Sequence, residues 1–258
     1  MYPSLREKAA LVTGAARGIG RATAQRLAAE GCRVALADLD GDAAEAAARD
    51  IGGGALAVRA DVARSDDVRA MVQAVVRRWP EIHILVNNAG VVRPGPLETF
   101  SESDWDLTMA VNLRGPFLCA QAALPHMPAG GRIINIGSNS GLRASASLGG
   151  YSISKFGLVG LTQVLAQEAG GRGITVNTVC PGDVFDAGSW SDELYRHTRE
   201  KLGVATDEEV RRIFRERTAM GADITAQDVA DTVAFLASDQ ASRITGQTIP
   251  VNAGKIMR

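Results

Sequence analysis

The stretch Ala9–Gly20, AALVTGAARGIG, joins a short apolar run to three glycines within seven residues. Ala9–Thr13 is suited to a buried parallel strand, and residues 21–30 carry apolar side chains at helical spacing. A strand that runs through glycines into a helix presents backbone N–H groups and the positive end of the helix dipole to a bound phosphate. The spacing G-x-x-x-G-x-G differs from the usual dinucleotide fingerprint, and a flexible turn is the plain alternative in a chain with 28 glycines. The strand–turn–helix context favours dinucleotide binding.

The composition limits the class of protein. The 258 residues fit one large α/β domain, and an apolar content of 46% is enough for a buried core. The 28 basic and 29 acidic residues are interspersed and give a net charge of −1, so charge offers no case for a nucleic-acid or membrane-surface partner. No apolar run approaches the ~20 residues of a spanning helix, and the N-terminus lacks an apolar signal core. We therefore expect a soluble, cytoplasmic protein.

Cysteine and histidine positions give no sign of a metal site. The cysteines are Cys32, Cys119 and Cys180, and the histidines are His83, His126 and His197. The cysteines are widely spaced in apolar surroundings, so we expect buried free thiols in a reducing compartment. The histidines lack metal-ligand spacing. The sequence predicts no metal cofactor.

Strand and helix patterns alternate along the chain. The strand candidates are Ala9–Thr13, Arg33–Ala37, Ala55–Arg59, Ile82–Val86, Arg132–Ile136, Ile174–Val179 and Thr248–Val251. Helical patterns lie near residues 18–30, 41–50, 66–78, 102–126, 150–169 and 226–237. Such alternation predicts right-handed crossovers and a parallel sheet covered on both faces. We expect a Rossmann-type, doubly wound, seven-stranded α/β fold in a single domain over residues 1–258.

Three of these helices carry start signals. Ser65 precedes two aspartates, Ser101 has Asp104 three residues later, and Thr225 has Asp228 three residues later. A hydroxyl followed by a carboxylate at that spacing is typical of a helix N-terminus.

Ligands of such sheets bind beyond the carboxyl ends of the strands, where the strand order reverses. Asp38 follows the second strand about twenty residues beyond the glycine turn, where a carboxylate can accept from the ribose hydroxyls and would repel a 2′-phosphate. Arg17 has the opposite effect, since a guanidinium beside the ribose can pair with that phosphate. The residue after Asp38 is Leu39, so no second basic side chain stands there to pair with a 2′-phosphate. We expect NAD rather than NADP, with an ordinary helix-start aspartate as the alternative for Asp38.

Polar or turn-forming residues also follow the next four strands. In Asp61-Val62 the carboxylate could accept from the adenine amine, although an isolated aspartate there is more often a turn former. Asn87–Gly90, NNAG, consists largely of residue types that form turns, and a turn is the first explanation for it. Ser138 supplies a hydroxyl within GSNSG after the fifth strand, and Pro181-Gly182 ends the sixth.

Tyr151 and Lys155 stand four residues apart at the start of a stretch with the pattern of a buried helix. Four residues make one helical turn, so both side chains project from the same face. A phenol with a pKa near ~10 is a poor acid–base group at neutral pH, and an ammonium group one turn away is expected to lower that pKa. The pair indicates acid–base catalysis, although Tyr-x-x-x-Lys also occurs by chance on solvated helices. Asn112 lies inside the apolar pattern 102–126, where a buried amide predicts a local distortion or a bound water.

Taken together, these residues resemble the classical short-chain dehydrogenase/reductase family. Each motif is weak alone, but their joint agreement, in the family's order through nearly the whole chain, is not credible as chance. Ser138 precedes Tyr151 by thirteen residues, as it does in that family. The matching positions are Thr13, Gly14, Gly18, Gly20, Asn87, Asn88, Ala89, Gly90, Asn112, Ser138, Tyr151, Lys155, Pro181 and Gly182.

The resemblance implies hydride transfer between a nicotinamide and a secondary alcohol or ketone. Tyr151 would act as general base or acid, and Lys155 would lower its pKa and hydrogen-bond the nicotinamide ribose. Ser138 would orient the substrate oxygen, and Asn112 would hold a water in a proton relay to Lys155. The implied cofactor contacts are Gly14, Arg17, Gly18, Ile19, Gly20, Asp38, Leu39, Asp61, Val62, Asn88, Ala89, Gly90, Tyr151, Lys155, Pro181, Gly182 and Val184. The family's homotetramer, built on the helices near 102–126 and 150–169, is expected as well.

The sequence departs from the family's pattern at two places. Asp186 stands where a threonine near the carboxamide and pyrophosphate is usual. A carboxylate near phosphates is unfavourable, so we expect either a displaced loop or the loss of that contact. Asn252-Ala253-Gly254 stands where Asp-Gly-Gly is usual, a change that we expect to affect packing rather than chemistry.

Residues 185–224 form an insertion longer than a simple crossover, and we expect it to cover the substrate as a helical lid. Asp192–Leu202 has a helical pattern ending at Gly203, and the capping box at Thr206 opens a second helix through Arg217. The many basic residues of the insertion have the composition of a solvated helix face rather than an anion site. Trp190 and Tyr195 are candidates for apolar contact with the substrate, and Arg93 and Arg143 for polar contact.

Substrate expectations rest on resemblance alone. The runs KLGV from Lys201 and ITGQ from Ile244, with the C-terminal ending, resemble polyol and sugar-phosphate dehydrogenases of the family, the sorbitol-6-phosphate dehydrogenase-like subgroup. We therefore expect a polyol, a sugar, a sugar phosphate or a small diol. A 3-oxoacyl thioester reductase using NADPH is the alternative, against which Asp38 and the balanced charge count. A non-catalytic dinucleotide-binding regulator is the second alternative, and it would not need the four catalytic residues together.

Overall fold

The computed structural model describes residues 1–146, 148–188 and 190–257. Seven strands form one parallel sheet in the order β3-β2-β1-β4-β5-β6-β7. They are β1 (Ala9–Thr13), β2 (Arg33–Asp38), β3 (Leu56–Arg59), β4 (Ile84–Asn87), β5 (Arg132–Ile136), β6 (Thr175–Pro181) and β7 (Thr248–Val251). The α-helices are α1 (Gly18–Ala29), α2 (Gly41–Ile51), α3 (Ser65–Arg78), α4 (Glu102–Met109), α5 (Gly115–Ala123), α6 (Gly149–Gly170), α7 (Asp192–Leu202), α8 (Asp207–Glu216) and α9 (Ala226–Ala237). The predicted doubly wound α/β fold is confirmed, with strand ends shifted by at most two residues.

The strand order reverses between β1 and β4. β1 pairs with β2 on one side and with β4 on the other, so that Leu11 lies opposite both Ala35 and Leu85. The chain runs outward from β1 through β2 to β3 and then crosses back to β4. Loops that follow β1 and β4 therefore diverge to opposite faces, and a crevice opens between them at the carboxyl ends of the strands.

The sheet is buried on both faces, which is why its central strands are continuous apolar runs. Alternate residues of each strand enter two separate cores. One core packs strand residues such as Val12 and Leu36 against α1, α2 and α9, and the other packs residues such as Leu11 and Leu85 against α3, α5 and α6. The strand ends that carry the candidate residues are fixed to this rigid centre.

The helix predicted over 102–126 is interrupted. It divides into α4, a π-helical turn at Ala110–Arg114, α5 and a short 3-10 turn at Leu124–His126. Asn112 is fully buried in the π turn, and its amide exchanges hydrogen bonds with the backbone of Val91 at 2.8 and 2.9 Å. A π turn widens the helix by one residue. The local distortion expected from a buried amide at Asn112 is thus present.

The helix start signals mostly hold. The side chain of Ser101 accepts from the backbone N–H of Asp104, and Thr225 and Thr206 each form a complete capping box. The prediction at Ser65 is wrong by one position, because α3 already includes Ser65 and begins after Arg64, whose side chain makes no cap. Two carboxylates in the first turn of α3 complement the helix dipole there without a capping hydroxyl.

The expected lid consists of a 3-10 turn at Phe185–Ala187 followed by α7 and α8, with Ser189 outside the described residues. Four rings form its aromatic cluster: Trp190 lies 4.6 Å from Phe185, 4.9 Å from Tyr195 and 5.4 Å from Phe214. This small core joins α7 and α8 to the loop after β6. Gly203 ends α7 with a φ of 68°, the left-handed conformation that glycine adopts at low cost.

The thiols of Cys32, Cys119 and Cys180 are buried and unpaired, as expected. No helix among the described residues is long and apolar enough to cross a membrane.

Candidate active site

A cleft of about 1160 Å³ opens at the carboxyl ends of the strands, where the strand order reverses. It extends from the glycine loop after β1, past the end of β2, to the start of α6. Most of the predicted cofactor residues lie on its wall. They are Gly14, Arg17, Ile19, Asp38, Leu39, Asp61, Val62, Asn88, Ala89, Gly90, Tyr151, Lys155, Pro181, Gly182 and Val184. This wall crosses the point where the strand order reverses, which is where a dinucleotide binds in sheets of this kind.

Gly18 and Gly20 lie behind this wall and serve close backbone packing. A Cβ on Gly18 would stand 2.0 Å from the carbonyl oxygen of Ala187, and one on Gly20 would stand 2.1 Å from that of Gly14. Glycine at position 18 lets the loop after β6 approach the start of α1 closely. Glycine at position 20 lets the first turn of α1 approach the loop after β1. Among the described residues, the N-cap residue Arg17 makes no side-chain cap at the start of α1, and such a helix start favours a bound phosphate.

Thr13 and Asn88 join the loops that follow β1 and β4. The amide of Asn88 donates to the carbonyl oxygens of Thr13 and Gly14 at 2.9 and 2.8 Å. The hydroxyl of Thr13 accepts from the backbone N–H groups of Asn88 and Ala89 at 3.1 and 3.2 Å. The Asn-Asn-Ala-Gly sequence is therefore more than a turn, because it fixes the glycine loop against the sheet.

Asp38 places its carboxylate on the cleft wall at the end of β2. One oxygen accepts from the backbone N–H of Ala16 at 2.9 Å, and the other accepts from that of Asp40 at 3.1 Å. These bonds hold the carboxylate in place beside Arg17 and Leu39 on the same wall. Asp61 also lines the cleft, and it forms a turn as well, since its carboxylate accepts from the N–H of Ala63 at 2.9 Å.

Ser138 and Tyr151 meet at the opposite end of the cleft. Ser138 begins a 3-10 turn, and its hydroxyl accepts from the backbone N–H of Ser140 at 3.0 Å. Burial raises the pKa of Tyr151 to about 12, while a hydrogen bond with Ser138 acts to lower that pKa. The phenol is thus held protonated beside a second hydroxyl, an arrangement that can bind and protonate a substrate oxygen.

Lys155 lies one turn after Tyr151, on the same side of α6, as the spacing predicts. Its Nζ donates to the carbonyl oxygen of Ile136 at 2.8 Å and lies 5.7 Å from the centre of the Tyr151 ring. Burial lowers the pKa of Lys155 to about 8. Loss of solvation is the largest influence on both groups, and it raises the pKa of the phenol above its ordinary value. The position predicted for Lys155 is confirmed, and the effect of its charge on the pKa of Tyr151 stays a prediction.

Asn112 does not line the cleft but lies one layer behind it. Beyond its bonds to Val91, its amide donates to the hydroxyl of Ser154 at 3.2 Å. Gly90 separates it from the catalytic lysine, since a Cβ on Gly90 would stand 3.4 Å from Asn112 Oδ1 and 3.7 Å from Lys155 Nζ. Both N–H groups of the side-chain amide therefore hold the loop after β4 against α6, and Oδ1 accepts one of the two hydrogen bonds that it can accept. The water-relay role stays a prediction.

The two departures from the family pattern both have structural explanations. The carboxylate of Asp186 turns away from the cleft and accepts from the backbone N–H of Ala226 at 3.2 Å, in the first turn of α9. A negative charge is favoured at that end of a helix, so Asp186 links the loop after β6 to α9, and its effect on phosphate binding stays a prediction. The amide of Asn252 donates to Asn139 Oδ1 at 2.9 Å and thereby supports the loop after Ser138, which is a packing role.

The substrate half of the cleft contains residues that the sequence did not single out. One face of α7 lines it at helical spacing, and α8 and the C-terminal tail line it as well. These residues are Leu194, His197, Thr198, Lys201, Phe214, Arg217, Lys255 and Ile256. The sequence shows that Leu194, His197, Thr198 and Lys201 share one face of α7, at spacing i, i+3, i+4, i+7. It does not show that this face turns toward the cleft. Trp190, Arg93 and Arg143 line the cleft as expected. Tyr195 is instead buried beneath Trp190, and its hydroxyl oxygen accepts a hydrogen bond from Arg211 Nε at 2.9 Å.

Lys255 ties the C-terminal tail to the lid. Its ammonium group forms an ion pair with Asp183, which follows the Pro-Gly turn, and lies 4.2 Å from the centre of the Phe214 ring. Both members of the ion pair are largely buried. An ammonium held over a ring face and against a carboxylate connects three segments of the cleft wall.

The chain matches the family profile described as enoyl-(acyl carrier protein) reductase over residues 14–255. It is 42% identical over 260 residues to 3-oxoacyl-(acyl-carrier-protein) reductase FabG of Staphylococcus aureus (strain N315), covering 97% of this chain and 98% of that relative. It is 40% identical over 253 residues to D-threitol dehydrogenase of Mycolicibacterium smegmatis, covering 96% of this chain and 92% of that relative. A crystal structure of a blue fluorescent protein from a metagenomic library, in complex with NADPH, superposes with a TM-score of 0.87 at 35% identity, covering 98% of this chain and all of that chain.

Fold and site define an oxidoreductase that acts on CH–OH or keto groups with a nicotinamide dinucleotide, NAD(P)(H). The chain belongs to the short-chain dehydrogenase/reductase family. Reductases of acyl thioesters and a polyol dehydrogenase resemble it about equally, so the polyol subgroup expected from the sequence is not distinguished by similarity.

Tyr151→Phe tests the assignment of the proton-transfer group. We expect turnover to fall by about 10²–10⁴-fold, the usual contribution of a positioned acid or base, with coenzyme affinity retained because the ring still fills its place. Steady-state kinetics together with a titration of NADH fluorescence measure both quantities. Tyr2→Phe, which removes a hydroxyl outside the cleft, is the matched control. Turnover close to wild type in Tyr151→Phe would refute the assignment.

Proposed function

We propose that this protein is an NAD(H)-dependent dehydrogenase that transfers a hydride between nicotinamide and a secondary alcohol or ketone of a polyol, a sugar, a sugar phosphate or a small diol. The observation that carries this proposal is the hydrogen-bonded pair of Ser138 and Tyr151 above Lys155, at one end of a cleft whose other end holds Asp38. A regulator that only binds a dinucleotide has no need of this pair.

The nicotinamide would supply or accept the hydride, and the residues of this chain would bind the substrate and move its proton. In reduction, the protonated phenol of Tyr151 donates to the carbonyl oxygen while Ser138 orients that oxygen and stabilises its developing charge. A protonated Lys155 stabilises the phenolate that remains. In oxidation the proton moves from the substrate hydroxyl to Tyr151. Asn112 holds the loop that carries Gly90 and, in this proposal, orders a water for the proton to leave through Lys155.

Polar side chains in the substrate half of the cleft support a hydroxylated substrate. Arg93, Arg143, Ser145 and Thr198 line it and can bond to several substrate oxygens. D-threitol dehydrogenase, named for its polyol, is similar over nearly the whole chain. The second candidate is a 3-oxoacyl thioester reductase, which the similarity to FabG favours.

A substrate screen separates the two candidates. Sugar alcohols, their phosphates, small diols and 3-oxoacyl thioesters would each be tested with both nicotinamide coenzymes. We expect kcat/KM for the best polyol or diol to exceed that for the best 3-oxoacyl thioester by at least about tenfold, which corresponds to ~1.4 kcal/mol. Activity confined to 3-oxoacyl thioesters would overturn the polyol assignment and establish the second candidate.

We propose NAD(H) as the preferred coenzyme on the strength of Asp38. Its carboxylate is fixed by two backbone N–H groups at the end of β2 and would repel a 2′-phosphate. Arg17 on the same wall and the NADPH complex of the similar structure favour the opposite choice. The preference therefore depends on whether the carboxylate outweighs the guanidinium.

Asp38→Ser tests that balance. We expect wild type to prefer NAD(H), and the variant to gain at least about tenfold in kcat/KM for NADP(H) relative to NAD(H), because one adjacent charge is removed. Asp42→Ser, on the exposed side of α2, is the control and should leave the ratio unchanged. A wild type that already prefers NADPH, with a ratio unmoved by Asp38→Ser, would contradict the proposal.

We propose a homotetramer assembled through α5 and α6. Phe117 on α5 and Ile153, Phe156 and Val164 on α6 are exposed by 42% or more, which places large apolar side chains on two helices that both flank the π turn. Apolar patches of this kind are typical of protein–protein interfaces, and symmetric assembly lets the same patch pair with its copy.

Phe156→Asp with Val164→Asp places charge on this patch. We expect light scattering to give four times the chain mass for wild type and a smaller assembly for the double variant, because a carboxylate cannot be buried there without a partner. Asp substitutions at Leu39 and Met220, which are also exposed but lie elsewhere, should leave the assembly intact. A monomeric wild type would contradict the proposal.

A further inference from the structure

We propose that the natural substrate carries an anionic group, a phosphate ester or a carboxylate, held at the lid end of the cleft by Arg143, Arg217 and His197. This inference rests on the proposed function, since it names the class of substrate that the same site would accept. It selects the charged members from a range that also includes neutral polyols and diols.

Most cations of the lid are already engaged on its outer side. Their partners are Asp207 for Arg199, the hydroxyl of Tyr195 for Arg211, Glu216 for Arg212 and Asp223 for Arg215. None of these four arginines lines the cleft. The basic composition of the insertion therefore belongs mostly to a solvated, internally paired surface, as expected from the sequence.

Arg217 differs from those four residues. It lines the cleft at the end of α8, and its guanidinium lies 5.5 Å from the centre of the Phe214 ring. Within the part of the chain that the structure describes, no carboxylate lies within ion-pair distance of it. A guanidinium over a ring keeps its planar fork of donors available for a carboxylate or a phosphate.

Arg143 approaches the same half of the cleft from the loop after Ser138. It is exposed and lines the cleft, and it forms no ion pair with any carboxylate among residues 1–146, 148–188 and 190–257. Arg93, by contrast, lies 3.3 Å from Asp104, and Lys255 is paired with Asp183. Arg143 and Arg217 are therefore the guanidinium groups of the substrate half whose charge is left uncompensated.

His197 provides a third and independent observation. It lines the cleft on the inward face of α7, yet its Nε2 is buried and has no hydrogen-bond partner among the described residues. A buried polar atom without a partner costs free energy unless a ligand satisfies it. Lys201, one turn later on the same face, adds a further cation to this wall.

The local charge differs from that of the whole protein. The chain has a net charge of −1, but the carboxylate lining the substrate half within the described residues is Asp183, which Lys255 neutralises. A wall of one sign inside a cleft attracts the opposite charge more strongly than the same groups would in bulk water. A neutral polyol has no charge to pair with this wall. A substrate with an anionic group away from its reacting carbon would pair with the wall, and this contact would align its alcohol with Ser138 and Tyr151.

Direct binding of small anions tests the site without requiring the substrate. Inorganic phosphate and malonate would be titrated by calorimetry into the full-length protein saturated with NADH, so that the coenzyme's own phosphate site is filled. We expect both Arg143→Gln and Arg217→Gln to weaken binding of the preferred anion by at least about tenfold, as for loss of one charge-assisted contact. Stronger binding of phosphate indicates a phosphate ester, and stronger binding of malonate a carboxylate.

Arg212→Gln is the matched control, because Arg212 lies on the same helix but is paired with Glu216 outside the cleft. It should leave anion binding unchanged, and Arg217→Lys should restore part of it. In kinetics, Arg217→Gln should raise KM for a polyol phosphate or a hydroxy acid with little change in kcat, and this increase should exceed the one for the matching neutral polyol at least about tenfold.

Two outcomes separate this inference from the function on which it rests. If wild type binds neither anion, or if Arg217→Gln and Arg212→Gln behave alike, the anion site is refuted even when neutral polyols are oxidised efficiently. If the anions bind and the variants weaken them while no polyol, sugar phosphate or diol is turned over, the anion site stands and the proposed function fails.

Discussion

The hydrogen bonds between Thr13 and Asn88 are the interaction on which the site depends. β1 and β4 are neighbours in the sheet, but the loops that follow them leave in opposite directions, and a crevice opens between them. The Asn88 amide closes the base of this crevice by binding two carbonyl oxygens of the glycine loop. The Thr13 hydroxyl returns the contact by accepting from the backbone after β4. The side chains of Thr13 and Asn88 thus provide hydrogen-bond partners for backbone groups that lie beyond the end of the sheet.

The same principle extends outward from this point. Asn112 binds both backbone groups of Val91 from within a π turn, Asp186 binds the first turn of α9, and Asn252 supports the loop after Ser138. In each case a short polar side chain fixes a loop at the carboxyl edge of the sheet. Catalytic groups need to be held to within a fraction of an ångström of their working geometry. These contacts supply that rigidity where strands and helices do not reach.

The fold could be predicted from the sequence because its signals are local. An apolar run such as Ala9–Thr13 and a capping box such as that at Thr225 each specify one element, and alternation of the elements specifies the parallel sheet. Positions at the carboxyl ends of strands follow from that topology, so Asp38, Ser138 and Gly90 could be placed on the cleft in advance. The division of the long helix at Asn112 was expected only as an unspecified distortion, since the geometry of a π turn depends on what the amide finds to bind.

The sequence does not show how far burial and a neighbouring charge, which act in opposite directions on a phenol, shift its pKa. The spacing of Tyr151 and Lys155 correctly predicted that the two groups share one face of α6. It did not predict the extent of desolvation around them, and this is what raises the pKa of the phenol to about 12 and lowers that of the ammonium to about 8. A protonated phenol suits reduction of a ketone, in which the enzyme begins by giving a proton away. A lysine with a pKa of about 8 is still mostly protonated near pH 7, and its charge favours the phenolate when that forms.

The sequence of the lid likewise does not show which of its charged residues line the cleft. Its sequence contains many arginines and acidic residues in alternation, and composition alone describes them all as a solvated face. Folding divides them, because α7 and α8 pack on the aromatic cluster around Trp190 in one orientation, which turns His197 and Arg217 inward and leaves Arg199 and Arg212 outside with their carboxylates. A few ring contacts therefore decide which charged side chains line the substrate half of the cleft. Local sequence signals place the residues at the strand ends, whereas the packing of a separate small core places those of the lid.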